Sequence, residues 1–574
     1  MPVHNADVAE IFNLVADLLE IQGANPFRVR AYRNAARTVG GLSKSIATMA
    51  EEEKDLSELP GIGEDLAGKI GEILETGKLS QLEDLKKDVP PDLQDILRIP
   101  GLGPKKVKAL HDSLKINTLK DLEEAARKEK IRKIKGFGEK TEEKILEEIE
   151  RRSGEKKRLR LALAEPVADA LQEHLKKKKG IKDIVVAGSY RRRKETVGDL
   201  DILITCRKGS NEKIMKHFID YEDVDHVVSQ GRTRTSVVLD SGLRVDLRVV
   251  PQVSYGAALH YFTGSKSHNI AVRKSGVQKG LKINEYGVFK GKKRKAGKTE
   301  KEVYEQVGLP YIEPELRENR GEIEAARKDA LPRLLTEKDI RGDLHAHTRE
   351  SDGHFSMEEM VEAARELGYD YLAISDHSKH LAVARGLDRK RLADQIGKID
   401  RLNEKTKDFI ILKSIEVDIL EDGSLDLPDD ILKDLDLVVC SVHYKFRLSR
   451  EKQMKRILRA MDNRYCHILG HPTGRMIGDR EPLDLDMEKL MDAARERGCF
   501  MEVNAQPERL DLNDLHCRMA REKGVKVAIS TDAHTLNDLE NMRFGVWQAR
   551  RGWLEPDDVL NTRPWKDIKK LLRK

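Results

Sequence analysis

The chain has 574 residues, of which 39% are hydrophobic and 36% are charged, and its formal net charge is +6. This composition predicts a soluble globular protein with heavily charged helix surfaces, and the length predicts about three or more domains, because a single core stops growing well below it. No apolar run approaches the roughly 20 residues of a membrane span, and MPVHNADVAE lacks the pattern of a secretory signal, so we expect no membrane association.

The first 150 residues are predicted to be helical, because apolar residues recur at helical spacing without strand alternation. One unit occurs three times, as LPGIGEDLAGKI, IPGLGPKKVKAL and IKGFGEKTEEKI. The glycines permit a tight turn, so that backbone N–H groups of the following helix can face a phosphate. A single copy is as often a plain interhelical turn, but three copies resemble helix-hairpin-helix modules, which hold the DNA backbone without reading sequence. The glycine pairs are Gly61 and Gly63, Gly101 and Gly103, and Gly136 and Gly138.

From about residue 151 the pattern changes to strands. Basic clusters lie at 176–179 and 290–298, and each is either a solvated face or a DNA-facing surface. The strand-like runs are IKDIVVAG (181–188), DLDILIT (199–205), TSVVLD (235–240) and LRVDLRVV (243–250).

Three aspartates in these runs suit phosphoryl transfer. Asp199 and Asp201 are two residues apart on one strand, so their carboxylates point to the same face. Asp246 lies mid-strand between apolar residues, where a carboxylate is costly unless it is paired or binds a cation. Three converging carboxylates can hold a pair of Mg²⁺ ions for in-line displacement. The alternative is two surface aspartates and a salt-bridged Asp246.

The run GSYRRRKETVGDLD (188–201) resembles the nucleotidyltransferase signature of family X DNA polymerases, and the resemblance continues through RVDLR, YFTGSKSHN (261–269) and KGLKINEYGVF (279–289). It implies that Gly188, Ser189 and Arg192 hold the triphosphate and that the three aspartates bind Mg²⁺ or Mn²⁺. Further nucleotide contacts implied by the resemblance are Gly198, Tyr261, Phe262, Gly264, Lys266 and Asn269, with template or closure roles for Arg273 and Glu285.

The same family can carry a deoxyribose-phosphate lyase. Lys69 stands where that activity has its Schiff-base lysine, and Tyr32 matches a supporting tyrosine. However, Asp65, Ser57 and Arg28 replace lysines of the vertebrate lyase. Since nearby cations help to lower the pKa of a Schiff-base lysine, Asp65 would oppose the activity.

Beyond residue 339, strand and helix patterns alternate to the C-terminus, which predicts a parallel α/β barrel with its chemistry at the C-terminal strand ends. Nearly every predicted strand ends at a histidine or carboxylate. Such a set on one rim suits Zn²⁺, Mn²⁺ or Fe. The set comprises His345, His347, Asp352, His377, Glu416, His443, His471, Asp532 and His534.

The order HxH, D, H, E, H, H, DxH resembles the PHP (polymerase and histidinol phosphatase) phosphoesterase domain, which is fused to many bacterial and archaeal family X polymerases. Arg475 and Arg509 are candidate phosphate contacts of this nuclease, with surface salt bridges as the alternative. The resemblance implies up to three metals: one on His345, His347, Glu416 and Asp532, a second on Glu416, His443 and His471, and a third on Asp352, His377 and His534.

The fold class implied is multidomain: an all-α helix-hairpin-helix region, an α+β palm and thumb, and a distorted TIM-like α/β barrel. The expected function is a template-directed, gap-filling repair DNA polymerase with a metal-dependent 3′–5′ exonuclease, and 3′-phosphatase or AP endonuclease activity as an extension. The expected domains are 1–85 (N-terminal hairpin domain), 86–150 (fingers), 151–252 (palm), 253–315 (thumb), 316–338 (charged helical linker) and 339–574 (PHP).

The expected partners are gapped or nicked DNA, primer-template and dNTPs, and a monovalent cation at the hairpin loops. We expect a monomer. Five cysteines without CxxC spacing predict free thiols in the cytoplasm. Three alternatives stay open: a hydrolase of small phosphate esters with a degenerate DNA anchor, a DNA-end scaffold, and a template-independent or RNA nucleotidyltransferase.

Overall fold

The computed structural model describes residues 5–42, 45–52, 54–88, 96, 99, 102, 104–134, 136–138, 141–146 and 158–572. Met1–Lys157 is one compact unit and Arg158–Lys574 is another. In the described part of the chain, no helix combines the length and the apolar character that crossing a membrane requires.

The first unit is helical, as predicted, and its apolar side chains form one core that extends from Val8 to Ile145. Residues 1–85 and 86–150 both contribute to this core. In the described residues its α-helices are Asn5–Ile21, Pro26–Gly40, Ile46–Glu51, Glu64–Thr76, Ser80–Asp88, Pro104–Leu114 and Leu119–Arg127, with short 3₁₀ turns at Leu56–Glu58 and Ile131–Lys133. Residues 141–146 are helical as well.

The three repeated units each contain the same type of hydrogen-bonded turn. Gly61 and Gly136 have φ angles of +79° and +93°, a left-handed conformation that favours glycine. Gly101 and Gly103 lie outside the described residues. The closing hydrogen bonds, each 3.0 Å, run from Ile62 N–H to the Leu59 carbonyl, from Leu102 N–H to that of Ile99 and from Phe137 N–H to that of Ile134.

The palm is a five-stranded sheet with the order β2-β4-β7-β6-β5, in which β4 and β7 are parallel and the other neighbours antiparallel. The four predicted strands are present and β5 is additional. The strands are β1 (Leu159–Arg160), β2 (Ile181–Val186), β3 (Thr196–Val197), β4 (Asp199–Cys206), β5 (Val224–Gln230), β6 (Arg234–Leu239) and β7 (Arg244–Val249), and the helices are Leu161–Lys176, Gly188–Arg191 and Asn211–Ile219.

The thumb packs three helices against a small antiparallel sheet with the order β10-β9-β8. Its elements are Tyr255–Thr263, Lys266–Gln278, β8 (Lys282–Asn284), β9 (Gly287–Lys290), β10 (Lys293–Ala296) and Glu300–Val307.

The segment 316–338 differs from the predicted charged helical linker. Within it only Glu322–Arg327 is α-helical. Arg317 and Glu322 are fully buried, since Arg317 donates to Glu300 Oε1 at 2.5 Å and Glu322 Oε1 lies 2.6 Å from His268 Nδ1. These two charges are therefore paired inside the second unit, whereas Glu324, Lys328 and Lys338 of the same segment are exposed.

The C-terminal barrel has parallel strands throughout. Only two residues separate β13 from β14, so they form one interrupted strand, and the described barrel has seven strand positions. The strands are β11 (Gly342–Ala346), β12 (Tyr371–Ile374), β13 (Ile410–Lys413), β14 (Glu416–Asp418), β15 (Val439–Ser441), β16 (Ile468–Leu469), β17 (Phe500–Asn504) and β18 (Val527–Ser530), and the helices are Met357–Glu366, Arg389–Lys405, Asp429–Leu432, Arg450–Asp462, Met487–Arg497, Asp514–Glu522, Met542–Arg551 and Trp565–Leu571.

Candidate active sites of the palm and the barrel

The three palm aspartates lie on neighbouring parallel strands. Asp201 of β4 is opposite Asp246 of β7, and Asp199 lies two residues earlier on the same face. Burial, together with the charges of Asp199 and Asp246, raises the pKa of Asp201 to about 7. Burial and mutual repulsion make the ionised form of these carboxylates unfavourable. A bound divalent cation would offset that repulsion, so the cluster is a suitable set of ligands for one.

Asp246 is also paired, so the salt-bridge alternative is partly realised. Burial acts to raise its pKa, but the Ser236 hydroxyl and three arginines hold it below the usual value. Arg234 Nη2 lies 3.0 Å from Asp246 Oδ2, and the Ser236 hydroxyl donates to Asp246 Oδ1. Asp246 thus stays ionised beside Asp201.

A cavity of about 800 Å³ opens in front of Asp199 and Asp201. Gly188 has φ +63°, and a Cβ there would come within 3.0 Å of Asp201 Oδ2, so the chain needs glycine at this position. The other predicted residues that line the cavity are Ser189, Arg192, Tyr261, Phe262, Gly264, Lys266, Asn269 and Arg273.

Two predicted contacts are absent from the cavity lining. Gly198 faces the Arg158 guanidinium, since an added Cβ would lie 3.0 Å from Arg158 Nη1. Glu285 follows β8 and acts on Arg248, whose guanidinium carbon lies 4.3 Å from the centroid of the Phe262 ring. Neither Glu285 nor Arg248 is among the residues that line the cavity.

The barrel supplies part of the cavity wall, including Asp514 and Arg551, which the sequence did not indicate. The structure also corrects the placement of Arg475. It was predicted as a nuclease contact because it follows His471, but the chain turns at Gly474 (φ +59°), and Arg475 Nη2 donates to palm residue Glu195 at 2.7 Å.

The barrel histidines and carboxylates converge at the C-terminal strand ends. Glu416 is central: its carboxylate oxygens lie within 3.6 Å of five imidazoles. Three groups have ligand atoms within 4.8 Å of one another, namely His347, Asp352, His377 and His534; His345, His347 and Asp532; and His377, Glu416 and His443. His471 Nε2 joins them at 3.0 Å from Glu416 Oε1.

The chemistry of this donor set fits divalent metals. Burial alone would raise the pKa of Glu416, but His443, His345 and His377 hold it well below its usual value. Imidazole nitrogens and carboxylates in such density are the ligands of Zn²⁺, Mn²⁺ and Fe. Arg509 Nε lies 3.7 Å from Asp532 Oδ2, so this predicted phosphate contact does reach the rim.

Two further carboxylates orient the histidines. Glu502 Oε1 lies 2.7 Å from His345 Nδ1, and Asp418 Oδ1 lies 3.1 Å from His443 Nδ1. In both histidines Nδ1 is therefore engaged by a carboxylate and Nε2 faces Glu416. Metal-binding histidines have this arrangement, in which one ring nitrogen is held by a hydrogen bond and the other binds the metal. Sequence reasoning missed both, although a carboxylate inside the apolar runs CFMEVNAQ and IEVD was an available signal.

The region predicted for lyase chemistry has an ion pair. Lys69 Nζ lies 2.5 Å from Asp65 Oδ1 and 5.7 Å from the centroid of the Tyr32 ring. Burial acts to lower the pKa of Lys69, but the hydrogen bonds to Asp65 and Tyr32 raise it above its usual value. A Schiff-base lysine needs the opposite shift.

Comparison with known proteins covers most of the chain. Models described as "Helix-hairpin-helix domain", "SAM-like Helix-hairpin-helix tandem", "DNA polymerase beta palm", "DNA polymerase beta thumb" and "PHP domain" match residues 3–79, 93–151, 162–252, 258–318 and 343–506. The DNA polymerase/3′-5′ exonuclease PolX of Bacillus subtilis (strain 168) is 39% identical over 576 residues, 100% of both chains. This chain belongs to the family X DNA polymerases that carry a C-terminal PHP domain.

More distant relatives match parts of this family X chain. A probable phosphatase of Thermoanaerobacter sp. (strain X514) is 33% identical over 233 residues, 38% of this chain and 89% of the relative. DNA polymerase lambda of Rattus norvegicus is 27% identical over 343 residues, 55% of this chain and 56% of the relative.

Proposed function

We propose that this chain is a template-directed, gap-filling repair DNA polymerase whose PHP domain is a 3′–5′ exonuclease. The observation that carries the proposal is the aspartate triad, which sits beside the phosphate motif Gly188–Arg192 and has Asp199 and Asp201 at the mouth of the cavity. The full-length similarity to a DNA polymerase/3′-5′ exonuclease supports it.

In synthesis, Asp199, Asp201 and Asp246 would hold two Mg²⁺ or Mn²⁺. Bound divalent cations activate the primer 3′-hydroxyl and neutralise charge on the triphosphate. Ser189 and the backbone after Gly188 donate to the phosphates. The remaining cavity residues would each contact a different part of the substrate. Arg192 and Lys266 would bind phosphates, Tyr261 and Phe262 the sugar, Asn269 the edge of the base, and Arg273 the template strand.

In the exonuclease, the nine rim residues would hold up to three ions of Mn²⁺, Zn²⁺ or Fe. Such ions supply a nucleophile and neutralise the charge that develops on the phosphodiester. Glu502 and Asp418 keep two histidines in the orientation that presents Nε2. Arg509 positions the scissile phosphate from the rim.

The hairpin modules would grip the DNA backbone, with a monovalent cation at their loops. The protein would be a cytoplasmic monomer that acts on gapped or nicked DNA. The proposed domains are 1–85, 86–150, 151–252, 253–315 and 339–574, with 316–338 as a packed connection in place of a helical linker.

The direct test uses a 5′-labelled primer at a one-nucleotide gap, with Mg²⁺ or Mn²⁺. With the complementary dNTP we expect one added nucleotide, and without dNTPs we expect stepwise shortening from the 3′ end. A primer that never lengthens would exclude the polymerase, and a primer of unchanged length under both conditions would exclude both activities.

Phosphomonoester or abasic-site cleavage by the PHP domain is a second candidate. The similarity to probable phosphatases favours phosphomonoester cleavage. The same gapped duplex with a 3′-phosphate on the primer separates the cases: conversion to a 3′-hydroxyl before shortening indicates a phosphatase, and an inert primer excludes it.

The Mg²⁺ requirement of extension should depend on pH. Because the pKa of Asp201 is raised to about 7, the carboxyl is protonated below that pH and must release its proton to bind a cation. We expect the Mg²⁺ concentration for half-maximal extension to rise about fivefold from pH 7 to pH 6 and to change little between pH 8 and 9. A flat requirement from pH 6 to pH 8 would contradict this assignment.

Lyase activity should be weak and limited by Asp65. With borohydride and abasic DNA at neutral pH, we expect little trapped adduct for the natural chain. Asp65→Asn removes the hydrogen bond that raises the pKa of Lys69, so trapping should increase about tenfold. Asp65→Asn combined with Lys69→Ala is the control, and equal trapping by that double variant would exclude Lys69.

A further inference from the structure

Two aromatic residues follow the metal-ligand candidate His443 on the loop after β15. Tyr444 and Phe446 are both half-buried, and the exposed Lys445, with φ +58°, lies between them. Arg447, which is also exposed, comes next. The run YKFR thus alternates rings with cations, a combination that suits single-stranded nucleic acid, because bases stack on rings and phosphates pair with cations.

Each of the two rings is contacted by a planar side chain from a neighbouring loop. The His380 ring lies 4.5 Å from the Tyr444 ring, with 44° between the two planes. The guanidinium carbon of Arg480 lies 4.1 Å from the centroid of the Phe446 ring. His380 is exposed and Arg480 is half-buried, so both stacked pairs reach the surface of the barrel. These four side chains are called the stacking surface below.

The stacking surface lies beside the metal centre of the barrel. Its three loops begin at the ligand candidates His377, His443 and His471. The His443 ring lies 5.0 Å from the His377 ring and 5.1 Å from the His471 ring. Arg480 is fixed to the third of these loops, since its Nε–H donates to the Gly474 carbonyl at 2.8 Å. A DNA strand whose phosphodiester reaches these ligands therefore has its neighbouring nucleotides at the stacking surface.

Buried groups hold the aromatic loop in place. Arg456, which is 1% exposed, donates from Nη1 to the Tyr444 carbonyl at 2.9 Å, and its guanidinium carbon lies 4.5 Å from the centroid of the Tyr444 ring. The buried Gln453 donates to the Lys445 carbonyl at 2.8 Å, and the Tyr444 hydroxyl accepts from the Glu421 N–H at 2.7 Å. Because the loop is fixed before a ligand binds, little entropy is lost when a base stacks on it.

Two arginines of this region have no carboxylate to neutralise them. Among the described residues, no carboxylate oxygen lies within 4.0 Å of a side-chain nitrogen of Arg447 or Arg480. Burial and the charge of Arg509 both lower the pKa of Arg480. A partly buried guanidinium close to a second one is unfavourable unless an anion binds there, and a DNA strand supplies one phosphate at each nucleotide step.

We propose that the stacking surface binds single-stranded DNA on the 5′ side of the scissile phosphodiester, with bases on Tyr444 and Phe446 and phosphates on Arg447 and Arg480. A phosphomonoester would use the cations alone, so the rings point to a polynucleotide as the ligand. The inference rests on the proposed exonuclease and adds to it a binding site for the nucleotides that precede the terminal one.

The first test compares two substrates of the full-length protein with Mn²⁺. A single-stranded oligo-dT covers the stacking surface, whereas the p-nitrophenyl ester of thymidine 5′-monophosphate has no preceding nucleotide. Tyr444→Ala and Arg480→Met should each raise the KM for oligo-dT about tenfold, the scale of one stacked base or one phosphate contact. Their kcat/KM for the ester should change by less than about twofold. Arg401→Met, an exposed arginine of the same domain, is the matched control for Arg480→Met and should alter neither value.

The fluorescence of 2-aminopurine measures binding without turnover. The probe is a short oligo-dT with 2-aminopurine next to the 3′-terminal nucleotide and a phosphorothioate at the scissile linkage. The natural chain should quench the probe, because the base stacks on the Tyr444 ring. Tyr444→Phe, which keeps the ring, should quench it equally, and Tyr444→Ala should lose most of the quenching.

The results separate the stacking surface from the exonuclease itself. Natural quenching and a natural KM for oligo-dT in Tyr444→Ala would overturn the stacking surface, as would equal losses on both substrates together with a lower metal content. If the natural chain still shortens oligo-dT in those cases, the proposed exonuclease stands. If the natural chain cleaves neither substrate but quenches the probe through Tyr444, the exonuclease is wrong and the DNA-binding surface stands.

Discussion

Asp201→Ala is expected to abolish primer extension and to leave 3′–5′ degradation intact. Asp201 faces both other carboxylates, so its loss removes the shared ligand of the palm cations. Lost stabilisation of transition-state charge costs on the order of 10³-fold or more in rate. A gapped, 5′-labelled duplex with dNTPs should then show only shortened products, at the natural rate.

The variant should not be inactive through unfolding. The folded-state pKa of Asp201, about 7, lies above its ordinary value, so the ionised carboxylate destabilises the metal-free fold above that pH. Removing it should therefore raise the Tm at pH 8 without Mg²⁺. Asp240→Ala, an exposed aspartate next to β6, is the matched control and should extend normally. Extension by Asp201→Ala within tenfold of the natural rate would refute the assignment of the triad.

Local patterns predicted most of the architecture. The palm strands β2, β4, β6 and β7 are apolar runs, and the barrel strands alternate with amphipathic helices, so period alone locates them. β5 was missed because its sequence, VDHVVSQ, lies at a sheet edge with half of its side chains exposed. Its polar residues do not give the alternating apolar pattern that predicts a half-buried strand. Its strand conformation comes from antiparallel pairing with β6.

The linker could not be predicted in the same way. A run rich in Glu and Arg has the pattern of a solvated helix, yet Arg317 is fully buried against Glu300, and Glu318 Oε1 accepts from Arg551 Nη1 at 3.1 Å. Each partner lies in a different domain. Pairing between residues far apart in the chain produces no periodic pattern in the sequence. It nevertheless determines whether these charged side chains are buried or solvated.

The same contrast holds for the sites. Ligands such as His345 and His347 are recognisable because spacing places them on one strand end. Glu502, which orients His345 from a distance of 157 residues along the chain, has no such spacing. The cavity wall is harder still, since Arg551 meets Glu318 across 233 residues and two domains. Short-range chemistry was thus predictable, and the groups that support it required the fold.

Glu416→Gln is expected to abolish the exonuclease and to leave primer extension unchanged. Glu416 has an oxygen within 3.6 Å of His345, His347, His377, His443 and His471, so it is the one anion that all five imidazoles share. Glutamine keeps the shape and removes the charge. Loss of a bridging ligand should lower degradation on the order of 10³-fold or more, whereas Glu502→Gln, one shell further out, should cost about 10- to 100-fold.

The bound metal content tests directly whether Glu416 is a metal ligand, which activity measurements alone do not show. Purified natural protein and variants, measured by elemental mass spectrometry, should show Glu416→Gln with less bound Mn, Zn or Fe than the natural chain, and Glu502→Gln between the two. Glu496→Gln, an exposed residue of the same domain, should match the natural chain in metal and in both activities. If Glu416→Gln keeps full metal and natural exonuclease rates, the rim is not the nuclease. If it instead loses extension together with degradation, the two sites are not independent.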